Sequence, residues 1–131
     1  MTKHKTILRV LSLLLMLGGV VRVVAGEAIF EFLGMQGLWD DHAYFIYVYR
    51  VLGSFVVLVG MLLFAVSGSI EKHQGALCAM KWGFAIIGLT MLGAGYLVKL
   101  SLQYYAPDFI FCFALAIYMH VVCVAIKKTL T

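Results

Sequence analysis

Residues 44–67 read YFIYVYRVLGSFVVLVGMLLFAVS, and Arg50 is the only charged residue among them. The run is long and apolar enough for an α-helix to cross the hydrocarbon core of a bilayer, which takes about 20 residues. Backbone groups have no partner in lipid unless the chain is helical or forms a closed barrel, and the run lacks the alternating polarity of a barrel strand. Residues 44–67 are therefore predicted to form a transmembrane helix.

The rest of the chain has the same character. Of 131 residues, 64% are hydrophobic and only 12% are charged, with a mean hydropathy of +1.04, whereas a soluble domain has about a quarter of its residues charged. We predict an all-α fold: a four-transmembrane-helix bundle with up-down topology, in a single integral membrane domain over residues 1–131. The predicted spans are about 7–25, 44–67, 77–100 and 108–126.

The distribution of charge predicts the orientation of these spans, because lysine and arginine collect on the cytoplasmic side. Cations flank the predicted inner ends, namely Lys3, Lys5, Arg9, Lys72, Lys81, Lys127 and Lys128. The other side carries most of the acids. Both termini are thus expected in the cytoplasm (N-in/C-in). The net charge of +4 follows from these flanks, whose natural neighbours are lipid headgroups, so nucleic acid is not expected as a partner.

The largest connection is the outer loop, residues 26–43. Its mixed apolar and acidic stretch at 27–33 is expected to form one or two helical turns at the membrane interface, with Trp39 as an aromatic anchor. Near the fourth span, Pro107 followed by Asp108 is typical of the first turn of a helix. Glycines recur along the spans, and small residues allow close packing of helices in lipid.

Arg22 and Arg50 are the most informative residues, because a cation within the membrane costs about 2.5–3.5 kcal/mol even on insertion scales. Both are expected at similar depth in the outer leaflet, with Lys99 able to extend toward them. Tyr47, Arg50 and Ser54 share one polar stripe of a helix.

Three interpretations of these arginines stay open. The first is an ion-pair network with the acids of the outer side, Glu27, Glu31, Asp40, Asp41 and Asp108. The second is an outward-facing pocket in which Arg22, Arg50 and Tyr47 bind an anionic headgroup, a carboxylate or a quinone oxygen. The third is simple snorkelling of the cations to the interface.

The sequence gives little support for a metal site or for thiol chemistry. His120 is the only histidine within a predicted span, so a metal site there would lack further ligands, and no metal is predicted. The cysteines at 78, 112 and 123 form no CxxC motif, which disfavours a thiol–disulfide relay and favours small apolar packing. No catalytic motif is found, and no carboxylate occupies the middle of a span. No cofactor is predicted, although a quinone stays open as a ligand.

The chain resembles the DoxX-like group of small four-helix bacterial membrane proteins. The resemblance is carried by Leu8-Arg9 opening an apolar helix, by Gly19-Val20-Val21-Arg22 near its outer end, and by Arg50-Val51-Leu52-Gly53 with Gly60 in the second span. It also rests on the length and the four-span layout. It implies a multi-pass protein of the bacterial inner (plasma) membrane and a partnership with quinone-linked or oxidative-stress redox enzymes. It transfers no catalytic residue.

Three function classes follow. The first, which we favour, is an accessory or assembly protein that docks on a larger membrane complex, with a membrane protein or a second copy as partner. The second is a protein that binds or transports a lipid, quinone or small anion through the Arg/Tyr pocket. The third is a membrane enzyme with an unfamiliar site, which the lack of motifs disfavours.

Overall fold

The computed structural model describes residues 1–131, which are almost entirely helical and contain no strand. Its α-helices are Thr2–Val23 (α1), Glu27–Phe32 (α2), Ala43–Ser67 (α3), Gln74–Leu97 (α4) and Leu102–Leu130 (α5), with a 3₁₀ turn at Gln36–Leu38. Four of them, α1, α3, α4 and α5, are long and apolar enough to cross a membrane. The predicted all-α class and the existence of four candidate spans are confirmed.

The fourth helix begins earlier than predicted. It starts at Leu102, so Pro107 lies inside α5 and not in its first turn. Proline removes one backbone donor and crowds the carbonyl four residues before it, which a helix tolerates better near its end than at its centre. Hydropathy placed the boundary too late because Gln103, Tyr104 and Tyr105 carry polar atoms.

The chain divides into two compact units, Thr2–Gly68 and Ser69–Thr131. In the first unit, α1 and α3 run antiparallel, since Gly19 lies against Gly53 while Arg9 lies over the ring of Phe64. A Cβ atom on Gly19 would lie only 2.7 Å from the carbonyl oxygen of Gly53. The two backbones are therefore in direct contact, which is the approach that small residues permit in lipid.

The outer loop of this unit is held by aromatic rings. Phe30 of α2 packs edge-on against Trp39 at 5.1 Å between ring centroids and against Tyr49 of α3 at 5.3 Å. Phe45 completes the cluster, with ring centroids 5.8 Å from those of both Trp39 and Tyr49. Phe30 is 3% exposed, so burial of these rings attaches the loop to α3.

In the second unit, α4 and α5 form another antiparallel hairpin. Gly88 faces the ring of Phe113, and Gly95 faces the ring of Tyr105. The turn that joins the helices is a Schellman motif, in which the amide of Lys99 donates to the carbonyl of Tyr96 and the amide of Leu100 donates to that of Gly95. Lys99 adopts the left-handed conformation there, with φ of 54°.

Candidate functional site

Arg22 and Arg50 lie at the same end of the α1–α3 hairpin, and both donate to backbone carbonyls. Arg22, half-buried near the end of α1, donates from Nη1 to the carbonyl of Gly18 at 3.1 Å. Arg50, exposed on α3, donates from Nη2 to the carbonyl of Ala25 at 3.1 Å. The last carbonyls of a helix and the residues just after it lack helical partners, so Arg50 supplies a donor where α1 has ended.

Tyr47 and Ser54 share the exposed face of α3 with Arg50. The phenol of Tyr47 is 65% exposed. The hydroxyl of Ser54 donates back to the carbonyl of Arg50 at 3.2 Å, which is the ordinary local bond of a serine within a helix. We call Arg22, Tyr47, Arg50 and Ser54 the arginine cluster.

Four of the acids named in the ion-pair interpretation belong to the same unit as the two arginines. Glu27 and Glu31 are exposed on α2. Asp40 accepts a hydrogen bond from the amide of His42 at 2.9 Å, and Asp41 accepts one from the indole of Trp39 at 2.6 Å. No ion pair joins any of these four carboxylates to Arg50, which donates to the carbonyl of Ala25.

Lys99 and Asp108 belong to the second unit, where Lys99 is exposed and Asp108 is half-buried. That they join the arginine cluster stays a prediction.

An open groove of about 380 Å³ runs along the first part of α3. Its lining consists mainly of aromatic and aliphatic side chains, with Asp40 and His42 at one end, and comprises Asp40, His42, Tyr44, Phe45, Val48, Tyr49 and Leu52. Neither arginine lines it. Tyr47 and Ser54 do not line it either, so the groove does not include the arginine cluster.

A second candidate surface lies on α4. The residues of α4 that are buried, Leu77, Phe84, Gly88 and Gly95, share one side of the helix at 3.6 residues per turn, and two of them contact α5. The opposite side, a sector of about 80°, carries exposed or half-exposed residues, most of them small, namely Gly75, Ala79, Gly83, Ile86, Thr90, Gly93 and Leu97. We call this the small-residue face.

The glycines of that face are open. A Cβ atom added at Gly75, Gly83 or Gly93 would meet nothing within 4 Å. By contrast, a Cβ atom on Gly95, on the α5 side of the same helix, would lie 2.7 Å from the ring of Tyr105. Gly75, Ala79 and Gly83 also follow the four-residue spacing of small residues at which membrane helices commonly cross.

The structure brings together two cysteines that the sequence interpretation treated separately. Sγ of Cys78 on α4 lies 3.3 Å from Sγ of Cys123 on α5. Both cysteines lie near the same end of the α4–α5 hairpin, so their positions in the sequence could have indicated the contact. The contact was not predicted because the two residues form no CxxC motif. His120 is exposed, and no group of three or more His, Cys, Asp or Glu residues is arranged to hold a metal ion.

Comparison of the chain with protein-family models, curated proteins and solved structures finds no match. The molecule thus offers three candidate functional features: the arginine cluster, the small-residue face and the contact between Cys78 and Cys123.

Proposed function

We propose that this chain is an accessory or assembly protein, and that its small-residue face docks on a transmembrane helix of a larger membrane complex. The observation that supports the proposal is the set of open glycines on one exposed face of α4. Glycine in a helix costs up to about 1 kcal/mol relative to alanine, and facing lipid it contributes almost no packing. Close approach of a partner helix would give these residues a role.

The setting of this function is part of the proposal. We propose an up-down bundle in a bacterial inner membrane with both termini in the cytoplasm, supported by the lysines and arginines that flank the predicted inner ends. The resemblance to the DoxX-like group supports a partner linked to redox chemistry. A fluorescent-protein or alkaline phosphatase fusion after Thr131 tests the orientation: a fluorescent fusion with an inactive phosphatase is expected, and an active phosphatase would contradict it.

Photo-crosslinking in native membranes tests the docking proposal. A photoreactive residue at Ala79, between Gly75 and Gly83, is expected to capture a helix of a different membrane protein. The same probe at Ala114, which is exposed on α5, is the matched control and should capture mainly lipid. Native mass spectrometry of the gently extracted complex should show that protein in fixed stoichiometry.

Added bulk sharpens this test. Gly83→Leu should abolish copurification of the partner without unfolding the chain, since nothing lies within 4 Å of the Cβ position. Ala114→Leu adds comparable bulk elsewhere and should leave copurification unchanged. Capture of a second copy of this chain at Ala79 would contradict docking on another protein and indicate self-association through the small-residue face. Equal crosslinking at both sites would remove the small-residue face as an interface.

The arginine cluster supports a second candidate, binding of an anionic lipid headgroup or another small anion at Arg50. A guanidinium has five N–H donors, and the hydrogen bond from Arg50 to the carbonyl of Ala25 uses one of them. The side chain is exposed, with Tyr47 one turn before it. Its planar fork suits bidentate binding of a phosphate or carboxylate.

Lipid retention tests this candidate. The protein is reconstituted with phosphatidylglycerol and phosphatidylcholine, and the lipid that stays bound is identified by native mass spectrometry. Retention of phosphatidylglycerol should be lost with Arg50→Ala and kept with Arg9→Ala, which removes an exposed arginine at the other end of the same hairpin. Equal retention by both variants would exclude Arg50 as the anion site.

A further inference from the structure

The α4–α5 hairpin holds two thiols in contact. Sγ of Cys78 lies 3.3 Å from Sγ of Cys123, and neither cysteine is in a disulfide. Both residues belong to the same compact unit. The contact continues the pairing made by Gly88 with Phe113 and by Gly95 with Tyr105, so the register of the hairpin itself brings the sulfurs together.

The two sulfurs differ in access. Cys123 is 4% exposed, whereas Cys78 is half-buried. A reagent therefore reaches Cys78 first, and Cys123 lies behind it as a second nucleophile. This arrangement of one accessible thiol beside a resolving thiol is typical of reversible oxidation sites.

Nearby cations place the pair close to a membrane boundary. Lys81 lies one turn after Cys78, and its Nζ is 4.8 Å from the ring centroid of Trp82. Lys127 lies one turn after Cys123 and is exposed. Lysine and tryptophan both favour the interface between lipid and water, so oxidants dissolved in either phase can approach Cys78.

We propose that Cys78 and Cys123 form a redox site that a hydroperoxide converts to a reversible disulfide. The Cys78 sulfur attacks the terminal oxygen of ROOH, the O–O bond breaks, and ROH leaves with the thiol proton, which gives a sulfenic acid. The Cys123 sulfur then attacks Sγ of Cys78, the S–O bond breaks, and the hydroxyl leaves as water with the Cys123 proton. The two sulfurs together lose two electrons, which reduce the peroxide.

Geometry and charge favour a disulfide over a bound metal ion. The sulfurs have to approach from 3.3 Å to a bond length of about 2.0 Å. The disulfide is uncharged and suits a buried contact. A metal ion would instead hold both sulfurs as thiolates at the same time, which is costly in a buried contact, whereas each step of the disulfide route uses one sulfur at a time as the nucleophile; no third side chain completes a ligand group.

Intact-mass spectrometry of the full chain in liposomes tests the proposal. After hydrogen peroxide treatment, the cysteine pair should be about 2 Da lighter than in the reduced chain. N-ethylmaleimide should then alkylate neither of the two sulfurs, and digestion should give a peptide that links residues 78 and 123. Dithiothreitol should restore two alkylation sites. A parallel sample with a phospholipid hydroperoxide distinguishes the source, because faster reaction there would assign the oxidant to the bilayer.

Single substitutions assign the roles of the two cysteines. Cys123→Ser should accumulate a sulfenic acid on Cys78 that dimedone traps, whereas Cys78→Ser should slow oxidation of Cys123 by at least about tenfold. Cys112→Ser, elsewhere on α5, should still form the Cys78–Cys123 disulfide.

Three results would overturn the proposal. The first is irreversible oxidation of Cys78 in the wild-type chain without a crosslink. The second is a disulfide between two chains in place of the internal one. The third is retention of cuprous ion by thiols that peroxide leaves unchanged, which would make the pair a metal site.

Discussion

The two hairpins use glycine in different ways. In the α1–α3 hairpin, glycine allows backbone to meet backbone: a Cβ atom on Gly53 would lie 2.8 Å from both the carbonyl oxygen of Gly19 and the amide nitrogen of Val23. In the α4–α5 hairpin, glycine makes room for an aromatic ring: the atoms nearest to a Cβ atom on Gly95 would be ring carbons of Tyr105. Backbone atoms cannot rotate away, whereas a ring can, so the first contact should tolerate added bulk less well than the second.

The polar contacts of the two hairpins differ in the same way as their glycines. Where α1 and α3 meet, Arg50 donates a hydrogen bond to a backbone carbonyl just beyond the end of α1. A polar side chain there supplies the donor that a helical amide would otherwise provide. Where α4 and α5 meet, the polar contact is between two side chains, Cys78 and Cys123. The first hairpin is therefore expected to be the more rigid part of the molecule, and the second the part open to chemical change.

The largest effect is expected at Gly19. Gly19→Ala places a methyl group 2.7 Å from the Gly53 oxygen and from the Val57 amide nitrogen, which forces the helices apart and should cost about 2–3 kcal/mol of unfolding free energy. Reversible unfolding in mixed micelles, followed by circular dichroism, measures it. Gly83→Ala, at an open position, is the control and should be neutral or stabilising. An equal cost in both variants would refute the steric explanation.

A smaller loss is expected at Gly95. Gly95→Ala brings the new methyl group 2.7 Å from the ring of Tyr105, but the ring can shift, so the cost should be about 1 kcal/mol. A double-mutant cycle with Tyr105→Leu separates this contact from other effects, because the alanine should cost less once the ring is gone. Gly88→Ala, 3.1 Å from Phe113, should cost less than Gly95→Ala. A cost that is unchanged in the Tyr105→Leu background would show that the ring is not the obstacle.

The smallest effects are expected at two left-handed positions, one in the outer loop and one in the turn of the second hairpin. Gly34 and Lys99 both occupy the left-handed position of a Schellman motif, with φ of 71° and 54°. A side chain there is strained by about 1–2 kcal/mol, although glycine loses more chain entropy on folding. Lys99→Gly should therefore stabilise the chain by about 0.5–1 kcal/mol, and Gly34→Ala should destabilise it. The same unfolding assay detects both changes, and destabilisation by Lys99→Gly would indicate that its side chain has another role.

Local patterns predicted much of the fold. Hydropathy identified four candidate spans because the cost of placing a residue in lipid is nearly additive along the chain. The expected helical turns at 27–33 correspond to α2. The same additivity placed the start of α5 too late, because residues 103–105 carry polar atoms and still belong to the helix.

The candidate sites were only partly predictable. Arg22 and Arg50 stood out because cations are costly in a membrane, and they lie at one end of the same hairpin. Their hydrogen-bond acceptors could not be predicted, because backbone carbonyls become available only where a helix ends in space. An ion-pair network between the loop acids and the arginines was one of three open interpretations, and the structure adds that Asp40 and Asp41 form local bonds within the loop.

The sequence by itself identified four helices that are long and apolar enough to cross a membrane, because composition and hydropathy act residue by residue. The tertiary structure alone decided which residues meet. Cys78 and Cys123 are far apart in the chain and belong to no motif, and only the antiparallel register of α4 and α5 places their sulfurs in contact. The open glycines of α4 are equally a tertiary finding, since a glycine looks the same in sequence whether its face is filled or free.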